Sequence, residues 1–212
     1  MCIRDSTYTN EYDPDCNVCD EAREVKTFTS EQLTGLTGTA SSNDTNDGSN
    51  IEEAFDGITN EASNYWASVK NDNGIENNEY LIANLNGKYL INQVAYTSRT
   101  TADATGNLND YVIWVSTDGE HYEQATSGDI ETRPGATTIT FDPIRATHVK
   151  LTATQSVHWQ DANVNKVMAA AEFAVFKAVC EEHDYDDDAD TECNVCGAVR
   201  TIEGLSLIHI SE

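Results

Sequence analysis

Residues 109–124 read NDYVIWVSTDGEHYEQ. Tyr111, Ile113 and Val115 fall on one face of an extended chain and alternate with Val112 and Trp114, the period of a half-buried strand. Trp114, out of phase with its neighbours, belongs on the outer face. Ser116-Thr-Asp-Gly119 then supplies turn chemistry before a second β-prone run, which is the signal of a hairpin.

Working outward, the same grammar repeats. Tyr80–Leu85, Ile91–Ser98, Thr137–Phe141, His148–Thr154 and Ala170–Phe176 are short β-rich runs, and Asn86-Gly87 and Pro134-Gly135 punctuate them. Ile139 and Phe141, Val149 and Leu151, and Ala171, Phe173 and Val175 each share a face. The one helical signal is a single turn at Ile51–Phe55. Many strands at short spacing without interleaved helices predict an all-β sandwich or jelly roll.

Composition narrows the function. Thirty-seven acids against 12 bases give a formal charge of −25, the wrong sign for displacing phosphate counterions, so no nucleic-acid partner is expected. No apolar run approaches the roughly 18 residues of a membrane span, so no membrane insertion is expected. The charge is uneven. Residues 179–204 carry nine acids and one Arg, whereas 27–178 carry 20 acids and eight bases. All six cysteines lie outside 27–178, so that segment must stand on its core, while the flanks are too short for one and need a staple.

Those flanks repeat each other. Tyr8–Val25 and Tyr185–Ile202 align without a gap at an offset of 177: Tyr8 with Tyr185, Asp13 with Asp190, Cys16-Asn-Val-Cys19 with Cys193-Asn-Val-Cys196, and Arg23 with Arg200. The downstream copy adds Cys180-x2-His183. Cys180, His183, Cys193 and Cys196 form two knuckles of soft ligands, the donor set of tetrahedral zinc; a disulfide, or free thiols, are the alternatives. The run Asp184–Asp190 lacks the Gly and Glu spacing of an EF-hand loop and reads as a solvated acidic linker. At the offset of 177, Cys180 and His183 correspond to Ile3 and Ser6. Residues 1–6 (MCIRDS) and 205–212 (LSLIHISE) resemble peptides translated from sequencing-adapter read-through, so both true termini are expected to be missing. The expected organisation is therefore 1–6 artefact, 7–26 truncated Cys-rich repeat, 27–178 β-sandwich, 179–204 Cys-rich repeat and 205–212 artefact.

Seven blocks in order carry a family resemblance: AFDG (54–57), YWAS (65–68), YLIANLNG (80–87), INQVAYTSR (91–99), NDYVIWVSTDGEHYEQ (109–124), ITFDPIRATHVKLTAT (139–154) and AAAEFAVF (169–176). Over roughly Thr37–Lys177 the chain resembles a coagulation factor V/VIII type C, or discoidin, domain, in the style of bacterial carbohydrate-binding modules of family 32. The repeats resemble Cys-rich spacers of large surface proteins of Gram-positive gut bacteria. The resemblance implies an eight-stranded antiparallel jelly-roll β-sandwich, galactose-binding-domain-like, with ligands held by loops at one end. It also implies a structural calcium held by Asp56 and Glu172, where the alternatives are a turn residue and an exposed strand acid. The family has a shorter spacing from this Asp to the Trp, with a Thr two before it; here Asp56 to Trp66 is ten, and Asn64 stands in place of the Thr. Trp66 is expected in the core.

Sugar recognition needs an aromatic face for the ring and fixed polar groups for its hydroxyls. The candidate loops, 65–77, 99–110 and 155–168, contain Tyr65, Arg99, Asn107, Asn109, His158, Trp159 and Asn163. Trp159 is the expected stacking face, or else a loop anchor. Arg99 matches a family Arg near the ligand, or else bridges to a buried acid. His158 and Asn107 can bond hydroxyls, or serve as a surface His and a turn residue. Of the common catalytic signatures G-x-S-x-G, P-loop, H-E-x-x-H and the Gly-rich fingerprint, none occurs. The expected function is a non-catalytic extracellular or cell-surface module that binds terminal galactose-type glycans within a larger chain, beside other modules of that chain. The alternative is a structural spacer or an adhesive module for a protein partner. Phospholipid binding needs clustered apolar spikes in a basic surround, and the loops here are acidic.

Overall fold

The alternation at 110–116 becomes a strand with Ile113 and Val115 buried and Trp114 on the outer side. Trp114 there donates from Nε1 to Thr152 Oγ1 at 2.9 Å, and the Lys150 ammonium lies 5.4 Å from its ring and 4.3 Å from that of Tyr122. A computed structural model describes residues 12, 25–46, 49–76, 79–100, 104–130, 134–157 and 166–202. The chain divides into two units, Ser30–Ala178 and Met1–Thr29 with Val179–Glu212. Its strands are β1 (Phe28–Gln32), β2 (Thr37–Ala40), β3 (Trp66–Ala67), β4 (Tyr80–Thr97), β5 (Asp110–Ser116), β6 (Glu123–Asp129), β7 (Ala136–Thr152), β8 (Ala169–Ala170) and β9 (Glu172–Cys180). The predicted turn of helix is present as a 3-10 turn at Ile51–Phe55. No described helix is long and apolar enough to cross a membrane.

The strands run β1-β9-β4-β7-β5-β6, with β2 also on β4, and β3 pairs β8 apart from them. The ladders of β2, β3, β4 and β5 with their partners are antiparallel, as expected of a jelly-roll sandwich. Two pairs of expected strands are each fused. Tyr80–Leu85 and Ile91–Ser98 are one strand, β4, because Asn86-Gly87 makes a bulge rather than a hairpin turn. Asn86 takes φ 55°, the register shifts between Asn84 and Tyr89, and the Asn86 amide donates to Gly35 O at 2.9 Å. The two runs opposite are likewise one strand, β7. Pro143, which has no N–H to give, falls where the register between Thr140 and Ile144 is interrupted. β4 and β7 stay paired on both sides of these irregularities.

Between the layers lie Trp66, Tyr96, Phe173, Ile75, Leu81, Ile91, Leu108, Ile113, Leu151 and Met168, all fully buried. Trp66 is a core residue as expected, and its Nε1 donates to Ser42 O at 3.0 Å. The Asp118-Gly119 hairpin forms with Ser116 Oγ accepting the Gly119 N–H at 2.9 Å. β6 closes one edge of the sheet, with Glu123, Gln124, Ser127 and Asp129 exposed.

Gly38 on β2 faces the Phe55 ring so closely that a Cβ there would sit 2.0 Å from a ring carbon. Phe55 precedes Asp56, so this approach sets where the Asp56 loop begins. Gly38→Ala is expected to lower stability by about 1–3 kcal/mol through overpacking, read as a drop in the urea midpoint at unchanged slope.

Candidate functional site

The register of the last strand decides which loops meet. Thr97 at the end of β4 pairs with Glu172 at the start of β9, so the chain leaving β4 at Ser98-Arg99 emerges beside the acidic end of β9. Tyr65 precedes β3, whose partner β8 lies just ahead of Glu172. Arg99, Tyr65, Asp56 and Glu172 therefore belong to one end of the sandwich.

Arg99 is 7% exposed, and its guanidinium carbon stacks 3.9 Å from the centre of the Tyr65 ring, itself 5% exposed. Nη1 donates to Thr105 O at 3.2 Å. Asn107 is fully buried rather than presented at a loop tip. Its Oδ1 accepts the Arg99 N–H at 2.9 Å and its Nδ2 donates to Arg99 O at 3.0 Å, so one amide replaces a strand neighbour for Arg99. Gly106, at φ +85°, lets the loop pass Ala169, whose Cβ would lie 2.8 Å from a Cβ at 106. Tyr96 ties the same end together: its hydroxyl donates to Ala169 O at 2.9 Å and accepts the Leu108 N–H at 3.2 Å. The result is a cation held rigidly on an aromatic ring. His158, Trp159 and Asn163 lie outside the described residues.

Asp56 and Glu172 border a cleft of about 160 Å³ that Gln32–Leu36, Phe55, Gly57 and Ala174 complete. Glu172 is 7% exposed, and its Oε2 accepts the Gly57 N–H at 3.0 Å. Burial pushes the Glu172 carboxyl up, the Gly57 N–H pulls it back, and the Asp56 charge adds to the push, leaving it at about 7. Asp56 caps its own loop by accepting the Ile58 N–H at 2.8 Å. The Asn64 amide nitrogen sits among three oxygens, 3.2 and 3.1 Å from the two of Asp56 and 3.2 Å from Ile58 O. A hydrogen-bond donor thus occupies the centre of an oxygen-lined nest, the kind of place a cation takes. Asp56, the Ile58 carbonyl and the Asn64 amide are oxygen donors of the kind a hard cation takes, and Glu172 meets the same loop at the Gly57 N–H.

Separately, in the unit that includes Val179–Glu212, Cys180, His183, Cys193 and Cys196 converge, with one ligand atom of each within 4.8 Å of all the others. This cluster can hold a metal such as zinc. Burial, with the Cys196 and Cys193 thiols beside it, pushes the Cys180 thiol up to about 12. Burial also opposes ionisation of Cys193. There the backbone N–H groups of Cys196, Asp184 and Val195 outweigh it and bring the thiol down to about 6. Cys16 and Cys19 of the other repeat lie outside the described residues.

Three functional-looking groups escaped sequence reasoning. Asn64 was noted for replacing a Thr, but not as the amide that spans Asp56 and Ile58. Glu53 accepts the Tyr65 N–H at 3.2 Å, fastening the 3-10 turn to the ring that carries Arg99. Buried Glu79 accepts from Ser41 at 2.5 Å, Ser42 at 3.1 Å and Asn71 at 3.2 Å, joining two loops. An acid ahead of a strand carries no sequence signal of that kind.

Comparison with known proteins agrees with this architecture. Residues 37–173 match the F5/8 type C domain model. A solved structure of CpGH89CBM32-5 from Clostridium perfringens, in complex with GalNAc-β-1,3-galactose, is 26% identical with a TM-score of 0.56, covering 68% of this chain and 99% of that one. The family 32 carbohydrate-binding module of C. perfringens NanJ, in complex with galactose, is 22% identical with a TM-score of 0.56, covering 70% and 100%. A family 89 glycoside hydrolase of C. perfringens is 23% identical with a TM-score of 0.51 over 69% of this chain, and only 14% of that chain is covered.

Asn107→Ala strips partners from a buried N–H and a buried C=O of Arg99. It is expected to cost about 2–6 kcal/mol, measured by urea unfolding, because each of the two orphaned groups costs about 1–3 kcal/mol.

Proposed function

The chain belongs to the F5/8 type C domain family, and from that premise we propose that it is a non-catalytic, extracellular or cell-surface carbohydrate-binding module for terminal galactose-type glycans. The observation that carries this reading is the rigid Arg99–Tyr65 pair at the loop end of the sandwich. Arg99 would donate to ring hydroxyls from a guanidinium whose entropy is already spent by stacking, which limits the ordering cost of binding. Asn107 serves by holding the Arg99 backbone, and Tyr65 by supporting the guanidinium. The reading assigns the stacking face to Trp159 and a hydroxyl contact to His158. The likeness to 14% of a glycoside hydrolase chain supports a module that accompanies other modules of a larger protein.

The same reading includes a structural calcium. Asp56 and Glu172 would hold it, with Ile58 O and the Asn64 amide turned over to present its oxygen. Calcium would neutralise two neighbouring carboxylates at the end that carries Arg99. The spacer alternative keeps the fold and loses the ligand.

Binding should be weak, with Kd in the millimolar to high-micromolar range, about 4–6 kcal/mol, because a single sugar exchanges water hydrogen bonds for protein ones at small net gain. Titration of terminal-galactose and terminal-N-acetylgalactosamine glycans against the full chain is expected to show saturable binding. Trp159→Ala should abolish it and Arg99→Ala should weaken it, with no hydrolysis of the glycan. Silence toward every glycan would establish the spacer reading instead, whereas equal binding by Trp159→Ala would overturn the stacking role of Trp159.

The calcium site has its own test. A carboxyl raised from 4.5 to about 7 on folding stabilises the fold below pH about 4.5, and that contribution is lost as pH rises toward 7. In chelator, the melting temperature of the wild type relative to Glu172→Gln is therefore expected to fall between pH 4.5 and 7. Calcium should restore it at pH 7 in the wild type and do little for Asp56→Ala. A wild-type melting curve indifferent to both chelator and calcium excludes the site.

A further inference from the structure

The described residues 180–202 have little apolar packing to hold them. Among the described residues, neither buried apolar cluster of the protein includes a side chain beyond Val175, and Val199 is 78% exposed. What they have instead is a set of turns that aim side chains at one point. Gly197, at φ +74°, closes the Cys193–Cys196 turn, its N–H donating to Cys193 O at 2.9 Å. The Cys193 N–H donates to Ala198 O at 2.9 Å, and Glu192 bridges to Val199, so the two cysteines project from the tip of a miniature hairpin. Cys180 ends β9, and His183 follows three residues on. The segment between is folded against the hairpin from outside. The Arg200 guanidinium lies 3.8 Å from the Tyr185 ring centre and donates to Asp190 O at 2.8 Å and Asp187 O at 2.6 Å.

Two acids of that segment serve its own turns, while Asp184 pairs with Lys26 at 3.0 Å and Asp186 accepts from the Asn194 amide at 2.9 Å. Asp187 accepts the Ala189 and Asp190 N–H groups, and Asp190 accepts those of Asp186 and Glu192. The centre of the unit is left to the three sulfurs and one imidazole. Cys193 Sγ accepts the Asp184 N–H at 3.4 Å, a bond that steadies a thiolate. Cys196 Sγ and His183 Nδ1 are 3.5 Å apart. A tetrahedral zinc with Zn–S near 2.3 Å and Zn–N near 2.0–2.1 Å sets that separation at about 3.6 Å.

We propose that Cys180, His183, Cys193 and Cys196 bind one structural zinc ion, with His183 ligating through Nδ1, and that this ion is what folds residues 180–202. A disulfide accounts for the geometry less completely. It can join two of the three sulfurs, leaving the third thiol and the imidazole aimed at the same point with no task. Zinc uses all four. Three thiolates and an imidazole are also the donor set that favours zinc over the hard cations suited to Asp56 and Glu172. The proposal is independent of glycan binding, which concerns the other unit.

The test uses the full chain, stripped of metal under reductant and titrated with cobalt(II) chloride. One tightly bound cobalt per chain is expected, with the visible bands of a tetrahedral thiolate site, displaced by zinc chloride. Zinc should also bring the amide resonances of residues 180–202 out of the unfolded region of the NMR spectrum, and chelator should return them, with the sandwich signals unchanged as the internal control. His183→Ala and Cys193→Ser should each weaken cobalt binding at least about tenfold. Cys16→Ser should leave the bands in place, which separates this site from the other cysteine pair. Bands insensitive to both His183→Ala and Cys193→Ser would overturn the proposal. So would dispersed 180–202 resonances in chelator plus reductant, or a disulfide among Cys180, Cys193 and Cys196 in protein prepared with zinc.

Discussion

The pairing of β4 with β7 is the constraint on which the larger unit depends. Each strand is long enough to serve both layers of a sandwich, and neither can do so flat. The ladder shifts register at the Asn86-Gly87 bulge, between Asn84 and Tyr89, and again opposite Pro143, between Ile91 and Gln93, and it resumes beyond this irregular stretch. On one side of it the pair carries β2 and β5; on the other it carries β9. Because Thr97 ends β4 opposite Glu172, the same register delivers Arg99 and the buried acid to one end.

That end is built by substituting side chains for missing backbone partners. Asn107 stands in for a neighbouring strand beside Arg99, and Glu79 gathers three side chains that close two loops. Loops made this way hold shape without regular structure, and under the proposed reading that limits the ordering cost of binding, since each rotor frozen costs about 0.5–1.5 kcal/mol. Arg99 on Tyr65 is such a group, ordered before any ligand arrives.

The strand alternation around Ile113, Val149 and Phe173 was legible in the sequence, as were the single turn at Ile51–Phe55 and the burial of Trp66, because each expresses a local period or a recognisable block. Strand continuity was not. Asn86-Gly87 carries the composition of a hairpin turn, and only the tertiary demand for a bend makes it a bulge. Of the site, the placement of Arg99 and Tyr65 in neighbouring loops and of Asp56 with Glu172 followed from family blocks. Their burial did not, since Arg and Tyr in a loop read as exposed. Asn107 reads as a turn residue beside Gly106, and nothing local announces that its amide faces inward. Cys180, His183, Cys193 and Cys196 were legible as a ligand set from spacing alone, because two x2 knuckles constrain geometry whatever surrounds them.

β6 has a consequence for a chain that carries several such units. It pairs with β5 on one side, and among the described residues no strand pairs its other side, a row of backbone donors and acceptors. Glu123 and Asp129 stand at its two ends, exposed, on a protein whose formal charge is −25. A second β6 approaching edge to edge would bring like charges together before a single hydrogen bond formed. Were copies strung along one polypeptide at high local concentration, that repulsion would keep them from zipping into a continuous sheet.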